Sequence, residues 1–359
     1  VELTQLRIEN LRLIERLELD LAPGWNLFTG PNGAGKTSLL EAAYLLSHGR
    51  SFRTSLREAL VRHGSAGYAI YGEVLHASGQ RERLGLAREG GRLQARIDGT
   101  PVAAATLLRH AAVLCFEPGS HELIAGGADN RRSFLDWGVF HVEHEFLPTW
   151  RRCQRALKQR NALLRTEGGA AGLDAWDHEL AAAAEPLTAM RQRYVEALRP
   201  ILFHVLGELL GELGAVELGF DPGFDPERPL LATLAARRGL DLARGYTSVG
   251  PQRADWTLGF PAAPRREHLS RGPPPPGPFA RGGGPARLFA QTRGEWPVLC
   301  LDDLASEVDA AHQARMLATL QPAPAQVLLT GTEAPAALAA LTVQPTMFHV
   351  EHGRVARLL

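Results

Sequence analysis

Residues 25–46 read WNLFTGPNGAGKTSLLEAAYLL: a short apolar run, a glycine-rich turn, then an amphipathic stretch carrying Leu39, Leu40, Ala43 and Leu46. Strand, GxxxxGKT turn and helix in this order leave a chain few folds to adopt. The glycines at 30, 33 and 35 let backbone N–H groups converge on one point, and the following helix adds the positive end of its dipole there. Such a point suits a phosphate chain. The expected cradle is Gly30, Pro31, Asn32, Gly33, Ala34, Gly35, Lys36, Thr37 and Ser38. Lys36 would reach the β- and γ-phosphates of ATP, acting catalytically as well as in binding, and the Thr37 hydroxyl would take Mg2+.

The partner motif lies far along the chain. Residues 297–303, PVLCLDD, are an apolar run with the look of a buried strand that ends in two carboxylates. Asp302 is expected to hold Mg2+, and Asp303 stands where a base would orient the attacking water. The long stretch between residues 37 and 302 suits an ATPase head interrupted by a large insertion.

Patterning supports that division. LRLIERLELDL, GYAIYGEVLH, ERLGLAR and RLQARID alternate with period two, as half-buried strands do. From about 126 to 213 apolar residues recur at three- and four-residue spacing, so a mainly helical arm is expected over 126–244. A discontinuous α/β head, a mixed sheet with flanking helices, is expected over 1–125 and 245–359. Within the arm, RRCQRALKQRNALLR (151–165) holds six basic side chains and no acidic one. Arg151, Arg152, Arg155 and Lys158 are therefore candidates for tracking a DNA backbone.

Composition limits the alternatives. With 39 basic against 39 acidic side chains, nucleic acid would have to be met by a local patch rather than by bulk charge. Only Lys36 and Lys158 are lysines, against a background of Arg, Ala, 37 Gly and 24 Pro that reads as a GC-rich genome. Cys115, Cys153 and Cys300 are scattered and odd in number, giving neither a disulfide framework nor a CxxC metal site. There is no apolar run of the ~18–20 residues a bilayer span needs, and no signal-peptide pattern, so the expected compartment is the cytoplasm, without a membrane.

LSRG (269–272) resembles the LSGGQ-type signature of ABC ATPases, and SEVD (306–309) resembles their D-loop. With FTGPNGAGKTSLLEAAYLLSHGRSFRT, RRSFLDWGVFH, YTSVGPQRADWTL and VLLTGTE in order, the chain resembles the RecF family of bacterial recombination and gap-repair proteins nearly end to end. The resemblance implies an SMC-like ABC head that forms an ATP-dependent homodimer. Ser270 and Gly272 would contact the γ-phosphate across the interface, and Asp309 would couple the two sites. It also implies double-stranded DNA near gaps and junctions as ligand, RecR- and RecO-like mediators as partners, and slow hydrolysis. Arg53, in GRSFRT, occupies the place of an arginine that lies near phosphates or DNA in such heads. Glu117 stands where transporter heads carry a Q-loop glutamine. Two other classes compete: a transporter ATPase subunit, and a scaffold that binds ATP without hydrolysing it.

Two stretches resist these readings. After Arg271 the chain runs GPPPPGPFARGGGPA where relatives continue with a Leu- and Ala-rich helix. Interior prolines cost ~3 kcal/mol each, so no ordinary helix is expected to begin here. Residues 273–286 have the composition that GC-rich codons give out of register, and two compensating frame shifts would account for them; a polyproline ligand for a partner and a flexible linker are the alternative readings. FHVEH also occurs twice, at 140–144 and 348–352. His141 and His144 are spaced to share a helix face, but no further ligands converge on them, and a codon-level origin for the repeat is the better reading.

Overall fold

The computed structural model describes residues 1–116, 127–166, 169–210, 215–259, 278–304 and 310–358. Fourteen strands are found among them: β1 (Glu2–Leu11), β2 (Ile14–Asp20), β3 (Trp25–Thr29), β4 (Gly67–Leu75), β5 (Arg81–Glu89), β6 (Arg92–Ile97), β7 (Thr100–Val102), β8 (Val113–Phe116), β9 (Glu217–Asp221), β10 (Asp255–Gly259), β11 (Val298–Leu301), β12 (Val327–Gly331), β13 (Thr346–Glu351) and β14 (Arg354–Arg357). The helices are α1 (Lys36–His48), α2 (Ala104–Leu107), α3 (Ala128–Val142), α4 (Phe146–Leu163), α5 (Leu173–Leu210), α6 (Leu230–Arg244), α7 (Pro278–Arg293) and α8 (Ala310–Leu320).

The first compact unit, 1–121 with 204–211 and 265–359, holds two sheets. An antiparallel sheet runs β2-β1-β4-β5-β6-β7, and its buried residues alternate with exposed ones because one face packs on the core. The other runs β14-β13-β3-β12-β11-β8, with β13, β3, β12, β11 and β8 mutually parallel and β14 antiparallel at the edge. Its central strands are apolar without alternation, Val298–Leu301 and Val327–Gly331 being buried throughout, as strands covered on both faces must be. Leu39, Leu40, Ala42, Ala43, Leu45 and Leu46 of α1 pack into one core with Leu6, Ile8, Ile70, Phe28 and Phe348.

The second unit, 122–203 with 212–264, is built on α3, α4, most of α5 and α6, plus the β9–β10 ladder. Residues 245–259 group with the helices in this unit. Asp255 explains this: β10 pairs with β9, and Arg131 of α3 grips the Asp255 carboxylate with two bonds of 2.7 Å. Within this unit the Arg160 guanidinium is fully buried between Asp177 (2.6 Å) and Asp241 (2.8 Å), with the Thr247 hydroxyl at 2.8 Å.

Helix α7 corrects the expectation for the proline-rich stretch from residue 278 onward. Pro278 takes the first helical position, where a missing N–H costs nothing. Gly283, Gly284, Pro285 and Ala286 are buried, followed by Leu288 and Phe289, so packing outweighs the poor propensity of this segment. Pro273–Pro276 lie outside the described residues. The repeat FHVEH takes two conformations: Phe140–Val142 end α3 with His144 in a turn, whereas Phe348–Glu351 lie in β13. His141 and His144 therefore do not share a helix face, and His141 packs against Trp137 with ring centroids 4.6 Å apart.

Candidate nucleotide site

Strand β3 delivers the chain into the loop 30–35 and out along α1. Gly30 has φ 153°, Gly33 78° and Gly35 108°, values that side chains rarely adopt. At Gly30 there is also no room: a Cβ would lie 2.1 Å from the Val350 carbonyl oxygen of the neighbouring strand. Pro31, Asn32 and Gly33 are exposed at the mouth of the loop. Ala34 and Ser38 are buried beneath it, and Ala34 accepts a 2.8 Å bond from Gly353 N–H. The Lys36 ammonium donates to the carbonyls of Gly30 (2.6 Å) and Pro31 (2.9 Å). Burial pulls its pKa below the usual lysine range, against the opposing pull of Asp303 and Asp302.

The two distant motifs meet here. The Thr37 hydroxyl donates to Asp302 Oδ1 at 3.0 Å, although 265 positions separate the residues. Parallel pairing brings this about: β11, which ends just before Asp302, lies next to β12, and β12 lies next to β3. Asp302 is 7% exposed and its pKa is raised, chiefly by burial; hydrogen bonds from Thr330 and Thr37 and the charge of Arg53 oppose the shift, and Asp303 adds to it. Asp303 is half-buried with φ 42°, a left-handed conformation that costs a non-glycine residue ~1 kcal/mol or more.

Sequence reasoning missed the residue that organises this pair. Thr330, at the end of β12, donates to Asp302 Oδ1 at 2.7 Å and accepts from Asp303 N–H at 3.0 Å. A threonine closing the apolar run VLL was the available signal. Glu41 was missed as well. It is completely buried in α1, takes two bonds from Arg12 (2.9 and 2.8 Å) and one from the Ser51 hydroxyl. Ser51 Oγ in turn accepts from the backbone N–H of Arg53 (2.9 Å) and Thr54 (3.2 Å). Glu41 thus anchors the exposed loop that carries Arg53, whose charge reaches Asp302.

Hydroxyl and carboxylate oxygens are the donors that Mg2+ prefers, so Thr37 and Asp302 fit the ion expected of them. The loop fits a phosphate chain, since the left-handed glycines at 33 and 35 lead straight into the first turn of a 13-residue helix. Ser270, Gly272, Asp309 and Glu117 lie outside the described residues. The basic candidates sit on α4, in the second compact unit. Arg151, Arg152, Arg155 and Lys158 are exposed, but Arg152 is held by Glu179 through two bonds of 2.7 Å. Arg160 does not belong to the stripe at all, being buried with its two aspartates.

A family model described as an AAA domain matches residues 5–63. A DNA replication and repair protein RecF from Stenotrophomonas maltophilia is 47% identical to this chain, covering 99% of both sequences. The chain belongs to the RecF family. A RecF from Shewanella baltica is 36% identical, again over 99% of each chain. Among solved structures, the recombination mediator protein RecF-ATP of the RecFOR pathway matches with a TM-score of 0.88 at 25% identity, over 99% of this chain and 97% of that one. The Smc head domain of Pyrococcus furiosus matches with a TM-score of 0.56 at 11% identity, over 99% and 96%, which speaks for the fold alone. The fold is therefore an ABC-type P-loop ATPase head with an inserted helical arm. No helix among the described residues is long and apolar enough to cross a membrane.

Proposed function

We propose that this RecF-family chain is an ATP-dependent DNA-binding protein of replication and recombinational repair, dimerising on ATP and hydrolysing it slowly. The observation that carries the reading is the 3.0 Å bond between Thr37 and Asp302, which unites the phosphate loop with the carboxylate motif. The names of the 47% identical relatives and the RecF-ATP likeness support it. Double-stranded DNA beside gaps or junctions is the ligand, and RecR- and RecO-like mediators are the partners.

The residues divide the work by chemistry. The backbone of 30–35 and the start of α1 bind the phosphates, and Lys36 turns from the loop carbonyls to the β- and γ-phosphates. Thr37 and Asp302 would hold Mg2+, which when bound neutralises charge developing between the β- and γ-oxygens. Asp303 orients the attacking water and accepts its proton, while Thr330 fixes the backbone on which both carboxylates stand. Ser270, Gly272 and Asp309 would complete the site of a second copy, and Arg53 would sense phosphate or DNA beside it.

Asp303→Asn separates catalysis from binding. ATP affinity is expected within about threefold of the parent, while single-turnover phosphate release falls about a hundredfold. Equal phosphate release in parent and variant would remove Asp303 from the mechanism. If the parent binds ATP but releases no phosphate, with or without duplex DNA, the chain is a non-hydrolysing scaffold.

A further inference from the structure

Away from the nucleotide loop, three side chains of the first compact unit converge. His76 follows β4, Glu82 lies in β5 across the hairpin turn, and His110 sits between α2 and β8. His76 Nε2 is 3.2 Å and His110 Nδ1 2.6 Å from the same oxygen, Glu82 Oε2, and the three atoms lie within 4.8 Å of one another. Glu82 is buried and the two imidazoles are partly buried. Each flanking carboxylate is held from behind. Gln80 donates to Glu82 Oε1 at 2.9 Å, and Glu295 Oε2 accepts from Ala77 N–H at 3.1 Å.

The proton inventory of this cluster points to a cation. His76 Nδ1 lies 3.3 Å from both oxygens of Glu295, and carboxylates accept, so one neutral tautomer carries its hydrogen on Nδ1. In that tautomer Nε2 is a bare lone pair, and it faces the lone pairs of Glu82 Oε2 at 3.2 Å. Two acceptors at that distance repel unless a positive centre lies between them. Either the ring takes a second proton, or one metal ion serves Nε2, Oε2 and the neighbouring His110 Nδ1 together. Two imidazoles and one carboxylate form a zinc donor set. The Glu295–His76 pair supplies the outer carboxylate that fixes the tautomer of a ligating histidine.

We propose that His76, Glu82 and His110 bind one Zn2+, with Glu295 as the positioning carboxylate and the fourth place taken by water. Bonds of ~2.0–2.1 Å in tetrahedral geometry set ligand atoms roughly 3.3 Å apart; His76 Nε2 already lies 3.2 Å from Glu82 Oε2, and His110 Nδ1 has to withdraw from that oxygen by about 0.7 Å. The ion would staple the β4–β5 hairpin of one sheet to the chain entering β8 at the edge of the other. Hard ions such as Mg2+ are disfavoured by the two imidazoles, so this site and the nucleotide site select different metals.

The test uses the full chain, stripped with chelator and kept free of nucleotide. Zn2+ is titrated against a chromophoric competitor, and Co2+ is followed by its visible absorption. The parent is expected to bind one Zn2+, to gain about 5 °C in Tm at a hundredfold excess over Kd, and to give the intense visible bands of four-coordinate Co2+. His110→Ala, at a partly exposed position, should weaken Zn2+ binding at least a hundredfold. Glu295→Gln should weaken it ten- to a hundredfold, and Lys36→Ala should leave it unchanged. Unaltered Zn2+ affinity and Co2+ spectrum in both His110→Ala and Glu82→Gln, or no binding by the parent below millimolar Zn2+, would overturn the proposal.

Discussion

In the helical unit the Arg160 guanidinium lies at 0% exposure with Asp177 and Asp241 on either side, whereas in the head Asp302 is buried against the hydroxyls of Thr37 and Thr330. Arg238 adds a second cation to Asp177 at 2.6 Å, so each buried charge of this cluster has an ionic partner. Among the described residues the Asp302 carboxylate takes hydrogen bonds from the Thr37 and Thr330 hydroxyls, with a like charge beside it in Asp303 and a raised pKa. The difference teaches what each cluster is for. A buried charge whose partners are all internal holds the fold together. One whose partners are incomplete has its remaining interactions to make with something that binds.

The comparison is most easily broken at Arg160. Arg160→Met leaves two buried aspartates facing an apolar side chain, and unfolding free energy should fall by about 3–5 kcal/mol in urea titrations. A loss below 1 kcal/mol would mean the cluster is not the structural element described. Thr330→Val tests the other side. It removes one donor to Asp302 and leaves Asp303 N–H without its acceptor, so stability should fall by ~1–3 kcal/mol and phosphate release by about tenfold. An effect on stability alone would detach Thr330 from the chemistry.

The smallest expected effect has the opposite sign. A carboxylate whose folded pKa lies above its unfolded value destabilises the fold when ionised. That cost is complete at neutral pH, declines as pH falls through the folded pKa, and is gone below the unfolded one. Asp302→Asn keeps an oxygen for Thr37 and Thr330 to donate to but removes the charge. In nucleotide-free protein at pH 7 its Tm should rise by about 2–4 °C, and the gain should vanish at acid pH. A lower Tm at pH 7 would contradict the assignment of Asp302 as an incompletely compensated charge.

How much of this was legible depended on distance along the chain. The strand, turn and helix around Lys36 are local, and residues 25–46 carry every element of them. PVLCLDD was readable for the same reason. Thr330 and Glu41 were not, because their roles exist only once β12 lies between β3 and β11, and once Ser51 folds over α1. Arg160, counted with the six basic side chains of 151–165 but not among the DNA candidates, follows Cys153 and Ala156 at spacings of three and four, and all three are buried. FHVEH marks the limit, since five identical letters close a helix and enter a turn at 140–144 but run along a strand into a turn at 348–352. Only the surroundings differ, Phe348 stacking on Phe28 with centroids 4.9 Å apart in the parallel sheet.

The central claim is that ATP held at Lys36 decides whether two copies close on DNA, and sedimentation of the full chain on duplex DNA tests it most directly. With Mg2+ and ATP the parent should sediment as a DNA-bound dimer. Lys36→Ala, with ATP affinity lowered by about a hundredfold, should remain monomeric at nucleotide concentrations that saturate the parent. Dimers of Lys36→Ala on duplex DNA in equal yield with and without ATP would contradict the account.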